Sequence, residues 1–158
     1  MTDHGEKSRE ALPLEGARVV DLSRLLPGPW CTQVLGDIGA EVIKIEQPEI
    51  GDYSRFNPPN YNEGSVYFHS VNRNKRSIVL DLKVPADRAT ALDLLHGADI
   101  VVESYRPGVT ENLGIDYATL NVEQDVTVGA YMLALAKESG QLYSVCRGDE
   151  PIETKILV

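Results

Sequence analysis

Apolar and polar positions alternate between two periods along this chain, and the switches between them mark its elements. Residues 17–23 (ARVVDLS) form a short apolar run with β-branched side chains, which predicts a buried strand. LLPGP follows as a turn. Pro29 can open a helix at its first position, and that helix runs through WCTQVLGDIG to a stop at Gly39. Residues 41–46 (EVIKIE) predict the next strand. Strand, turn, helix and strand in so short a span make a βαβ unit, which implies a parallel, right-handed crossover.

QPEIGDYSRFNPPNYNEGS is rich in Pro, Gly and Asn and reads as a long loop, of the kind that is usually functional or mobile. RSIVLDL predicts a third strand. PADRATALDLLHGA predicts a helix opened by Pro85, with Ala89, Leu92 and Leu95 at helical spacing. DIVVES is a fourth strand, YRPGVTENLGID a turn with a short helix, and YATL another short helix. The expected fold class is α/β, a Rossmann-like doubly wound, mostly parallel sheet with ligands at the carboxyl ends of its strands. The pattern changes after Leu120. NVEQDVTVGAYMLALAKESG reads as one helix, and LYSVCRG and ETKILV read as two strands around GDEP. The expected organisation is a disordered tail at 1–13, an α/β domain at 14–120, and a divergent or truncated helix-plus-hairpin segment at 121–158. An apolar strand at the end leaves an uncapped edge, so the natural domain is expected to continue.

Composition narrows the function. A chain of 158 residues, 42% hydrophobic and 25% charged, suits one soluble domain with a real core. A formal net charge of −9 argues against nucleic acid as a partner. No apolar run approaches the roughly 18 residues that cross a bilayer, so no membrane partner is expected. The first residues lack the apolar core of a signal peptide. Cys31 and Cys146 form no CxxC pair and read as reduced thiols, which points to a cytoplasmic location. Against the acidic background, HSVNRNKRSIVLDLK gathers Arg73, Lys75, Arg76 and Lys83.

Three segments could carry chemistry. The turn after the first strand holds PGP where a dinucleotide site would need GxGxxG. Glu46 stands where a ribose-binding acid would be. Without the glycines an NAD-dependent oxidoreductase is a weak alternative, and Glu46 reads as a solvent-facing strand end. In NRNKRS, Asn tolerates tight turns and Arg and Lys bind phosphate, although a charge run by itself reads as a solvated basic turn. In ESYRPGVTENLG, Pro107 and Gly108 turn the chain at a strand end, where Tyr105 could stack on a planar ring and Arg106 could meet a phosphate. His4, His69 and His96 have no metal-ligating neighbours at suitable spacing, so no metal site is expected.

Taken together, LEGARVVDLSRLLPGPWCTQVLGDIGAEVIKIEQPEIGD, YFHSVNRNKRSIVLDLK and ADIVVESYRPGVTENLGIDYATL resemble the class III CoA-transferases over about residues 14–120. This family includes formyl-CoA transferase, carnitine CoA-transferase and alpha-methylacyl-CoA racemase. The resemblance implies coenzyme A as part of an acyl-CoA substrate, a carboxylic acid as the second substrate, and an interlocked homodimer. It implies CoA contacts at Leu25, Leu26 and Pro27, and at Gln47, where family members often carry Arg. It implies further contacts at Asn74, Lys75 and Arg76, at Leu80, Asp81, Leu82 and Lys83, and at Ser104, Tyr105, Arg106 and Asn112. The family's nucleophilic Asp belongs to a segment with no match after Leu120; neither Asp125 nor Asp149 has the right surroundings, so the catalytic residue is unknown. The resemblance leaves three readings: a CoA-transferase, a non-catalytic CoA-binding or interaction fragment, and a 2-methylacyl-CoA racemase.

Overall fold

The computed structural model describes residues 11–62 and 64–120, and two short strands beyond them. The chain runs β1 (Arg18–Asp21), α1 (Pro27–Asp37), β2 (Glu41–Glu46), a 3-10 turn (Tyr53–Phe56), β3 (Asn60–Tyr61) and β4 (Gly64–Ser65). It continues with α2 (Val66–Asn72), β5 (Lys75–Val79), α3 (Pro85–His96), β6 (Ile100–Val102), α4 (Val109–Leu113) and α5 (Tyr117–Leu120). The last described strands are β7 (Val145–Arg147) and β8 (Glu150–Ile152).

β5, β2, β1 and β6 form one sheet in that order, and every pairing is parallel. Val19 sits opposite Val42 on one side and Ile100 on the other. The chain leaves β1 toward β2 and β5, then crosses back to add β6 on β1's free edge. The carboxyl ends of β1 and β6 therefore flank a topological switch point, where open α/β sheets bind ligands. β1 is central, and Val19 and Val20 are both fully buried because each face of a parallel sheet is covered. Val20, Leu22, Ile45, Leu80, Leu82, Ala91, Leu95 and Val101 pack on one face. Val19, Ala40, Val42 and Val102 pack on the other.

β2 spans the residues its pattern predicts. α1 begins at Pro27, two positions earlier than expected, because a proline at the first helical position sacrifices no needed donor. Gly39 stops it with φ +111°, and a Cβ there would lie 2.6 Å from Leu12 Cβ. β5 starts at Lys75 and ends at Val79, so the expected third strand is offset. The chain still bonds Leu80 N–H to Glu46 O (2.9 Å) before turning at Asp81. In α3 the buried face runs through Ala91 and Leu95, with Leu92 half-buried and Ala89 exposed.

Residues 47–65 carry more structure than the expected loop. Asp52 caps the 3-10 turn by accepting from Ser54 N–H, and Asn60–Ser65 form a small antiparallel bridge. α2 went unrecognised: only Phe68 and Val71 are buried on its two turns, too short a pattern to read. Its N-cap is Ser65, whose Oγ accepts from Phe68 N–H. β7 and β8 are antiparallel, with Arg147 opposite Glu150, so the second strand of the expected hairpin comes earlier than ETKILV. The expected helix after Leu120 lies outside the described residues.

Candidate functional site

The turn after β1 builds the site. Leu22 N–H closes onto Val102 O (2.7 Å), which joins the ends of β1 and β6. Leu25 adopts φ +67°, a left-handed conformation that costs a non-glycine residue about 1–2 kcal/mol. Its N–H is held by Asp52 Oδ1 at 3.0 Å. Gly28 comes so close to the turn that a Cβ would stand 2.2 Å from Ser23 Oγ.

A buried ionic network lies beneath this turn. Asp21 accepts from Ser23 Oγ, Ser23 N–H (2.9 Å), Thr32 Oγ1 (2.7 Å) and Lys75 Nζ (3.1 Å). Lys44 Nζ donates to Ser23 O (2.7 Å) and stands 3.0 Å from Asp52 Oδ2, an ion-pair contact off the line of a good hydrogen bond. Asp52 Oδ1 also accepts from Ser54 N–H and Oγ. Burial raises the Asp52 carboxyl, but Lys44 and these donors more than offset it and hold it below its usual value. Two lysines and two aspartates thus neutralise one another out of water, the condition for burying any of them.

This network uses the cations that the sequence offered to phosphates. Lys75 Nζ is spent on Asp21, Pro29 O (2.7 Å) and Asn72 Oδ1 (2.9 Å), and its side chain is 2% exposed. Burial pulls its ammonium down to about 8, against the pull of Asp21. Arg73 and Asn74 both bind Asp37, at 2.5 and 2.9 Å, and Asn74 turns the chain at φ +62°. Arg76 pairs with Glu41, the first residue of β2. Arg76 sits near the amino end of β5, at the far end of the sheet from the switch point. The charges of the basic stretch pair with carboxylates of α1, β1 and β2.

Glu46 is 4% exposed and therefore not a solvent-facing strand end. It receives Arg55 in a fork (2.7 and 2.6 Å), Ser77 Oγ (2.5 Å) and Asp52 N–H (3.0 Å). Burial pushes its carboxyl up, but these donors outweigh burial and hold it down at about 2. With these oxygens engaged, Glu46 is not offered to a ribose.

Two clefts open on either side of Gln47. The first, about 350 Å³, is lined by Arg24, Ile45, Gln47, Leu80, Asp81, Leu82, Lys83, Tyr105, Val109, Asn112 and Leu113. It thus brings together Gln47, Leu80, Asp81, Leu82, Lys83, Tyr105 and Asn112 from the sequence-derived set. Ser104 sits beside it, where its Oγ accepts from Arg24 N–H at 3.4 Å. Leu25 and Leu26 are exposed on the turn, with Pro27 behind them at the start of α1, and Arg106 is exposed after Tyr105. Asn74, Lys75 and Arg76 do not line it. Leu80 and Leu82 are mostly buried in the core and form its apolar floor. Burial pushes the Tyr105 phenol up, so it stays neutral. Sequence reasoning missed Arg24; its only signal was a cation directly after a predicted β1, in SRLLPG. The second cleft, about 410 Å³, lies between the β2–β5 edge and the 50–69 segment, with Arg55, Phe56, Phe68 and His69 in its wall. Among the described residues no helix is long and apolar enough to cross a membrane.

Known proteins are similar to this chain. The chain is 46% identical over 110 residues to succinyl-CoA:glutarate CoA-transferase of Mus musculus, covering 69% of this chain and 25% of that protein. It is 46% identical over 108 residues to acetyl-CoA:oxalate CoA-transferase of Acetobacter aceti, covering 68% and 28%. Among solved structures, a CAIB/BAIF family protein from Brucella suis superposes with a TM-score of 0.71 at 32% identity, over 94% of this chain and 44% of that one. The chain therefore spans about a quarter to 30% of these curated relatives' length. The family model for CoA-transferase family III matches residues 14–126, and this chain belongs to that family.

Proposed function

We propose that this chain binds the CoA portion of an acyl-CoA for a class III CoA-transfer reaction, in which CoA passes between an acyl-CoA and a carboxylic acid. The observation that carries the reading is the 350 Å³ cleft at the strand ends. An apolar floor of Ile45, Leu80 and Leu82 with Tyr105 suits a planar base, and Arg24 and Lys83 suit phosphates. Of Asn74, Lys75 and Arg76, Lys75 acts on this site, through its bonds to Asp21 and Pro29 O beneath the turn. Full turnover needs a carboxylate nucleophile, and no residue of this chain is assigned that role. The reading divides the chain into the α/β binding domain at 14–120 and a divergent segment at 121–158. It also includes a homodimer, supported by the exposed Leu26, Trp30, Val34 and Ile38 at four-residue intervals along α1; sedimentation as a monomer at micromolar concentration would remove that part.

Calorimetric titration with CoA and acetyl-CoA tests the central reading. Saturable heat is expected for both, and none for NADH. Silence at millimolar CoA would sink it, and saturable NADH binding would replace it with a dinucleotide site.

A further inference from the structure

Among the described residues, Arg18, Lys44, Arg55, Arg73, Lys75 and Arg76 each have a carboxylate within ion-pair distance. Arg24, Lys83, Arg88 and Arg106 have none among the described residues. Of these four, Arg24 and Lys83 line the cleft at the switch point. Lys83 is an exposed side chain on a turn. Arg24 is built in.

The Arg24 guanidinium carbon lies 5.3 Å from the centre of the Tyr53 ring and 5.7 Å from that of Tyr105. Its Nη1 donates to Tyr53 Oη at 3.3 Å. Its backbone N–H meets Ser104 Oγ, and the next N–H, of Leu25, is fixed by Asp52, which Lys44 holds in turn. β1, β6 and the 3-10 turn all contribute to its position. Cation–π contacts hold a guanidinium without consuming its charge, and five N–H donors exceed what the Tyr53 hydroxyl takes. The rotamer freedom that an arginine loses on binding an anion is already lost here. Asp81 is the carboxylate lining the same cleft, and its Oδ1 accepts from Lys83 N–H at 3.0 Å within its own turn.

We propose that Arg24 is the preformed phosphate-recognition residue of this cleft, its guanidinium held between Tyr53 and Tyr105 for an oxyanion of the bound nucleotide. The inference rests on the CoA reading and moves the anion contact from the 73–76 stretch to the end of β1. A guanidinium meets a phosphate through a planar fork that a lysine lacks.

The test titrates the 158-residue chain, Arg24→Gln and Arg24→Lys with CoA and with dephospho-CoA at low and moderate salt, with thermal melts as a folding check. Arg24→Gln is expected to weaken CoA binding about tenfold to a hundredfold and to flatten its salt dependence. Arg24→Lys is expected to remain severalfold weaker than the parent despite its charge. A loss confined to CoA identifies the 3′-phosphate as the partner, and an equal loss for dephospho-CoA identifies the diphosphate; either supports the proposal. Wild-type affinity and salt dependence in Arg24→Gln overturn it. Should that variant fail to fold, wild-type affinity in Arg24→Lys does so. A parent chain that gives no heat with CoA overturns the CoA reading itself, a different result from a parent that binds and a variant that binds equally.

Discussion

Replacing Glu46 by Gln removes one negative charge from the end of β2 and leaves the shape of the side chain almost unchanged. The Glu46 carboxyl is held at about 2 against an ordinary 4.5. At about 1.4 kcal/mol per tenfold change in proton affinity, that depression amounts to about 3 kcal/mol. The sign follows from linkage. A carboxyl whose folded pKa is depressed contributes its full stability above about 4.5, and loses it as pH falls through about 2. Glu46→Gln mimics the protonated acid at every pH. Urea unfolding of parent and variant, followed by circular dichroism at pH 7, 5 and 3, measures the difference. The variant is expected to be less stable by about 3 kcal/mol at pH 7 and pH 5, and by roughly half that at pH 3. A gap under about 1 kcal/mol at pH 7 would refute the argument that the Arg55 fork and the Ser77 hydroxyl outweigh the cost of burial. A gap constant from pH 7 to pH 3 would refute it differently, by assigning the loss to packing instead of charge.

Lys75→Met is expected to cost about 3–5 kcal/mol in the same assay, because it leaves the buried Asp21 and Asp52 with Lys44 as their one remaining lysine partner. Arg76→Ala breaks an exposed pair with Glu41, and is expected to change stability by less than about 1 kcal/mol and CoA affinity not at all. Loss of CoA binding in Arg76→Ala with its melting temperature intact would return the anion site to the basic stretch. Gln47→Arg adds a guanidinium to the wall shared by both clefts, and calorimetry is expected to show CoA binding tighter by on the order of tenfold. Unchanged affinity would place Gln47 out of reach of the phosphates.

The chain's local order was legible wherever short-range physics decides it. EVIKIE became β2 because β-branched side chains in a short apolar run suit a strand covered on both faces. Pro85 opened α3 and Gly39 closed α1 because a missing N–H and a missing Cβ have fixed consequences for the backbone. The order of the motifs also carried the family. α2 stayed hidden because Phe68 and Val71 give too few apolar positions to show a period. Only the tertiary structure could settle the charges. Lys75 meets Asp21 across 54 positions and Arg73 meets Asp37 across 36, and no local pattern pairs residues so far apart. In one dimension Arg73, Lys75 and Arg76 formed a basic run with no visible partners, and nothing singled out Arg24. Folding gave each cation of that run a carboxylate and set Arg24 against two tyrosine rings, because a buried lysine must take a partner whereas a cation–π contact leaves a guanidinium's charge unneutralised.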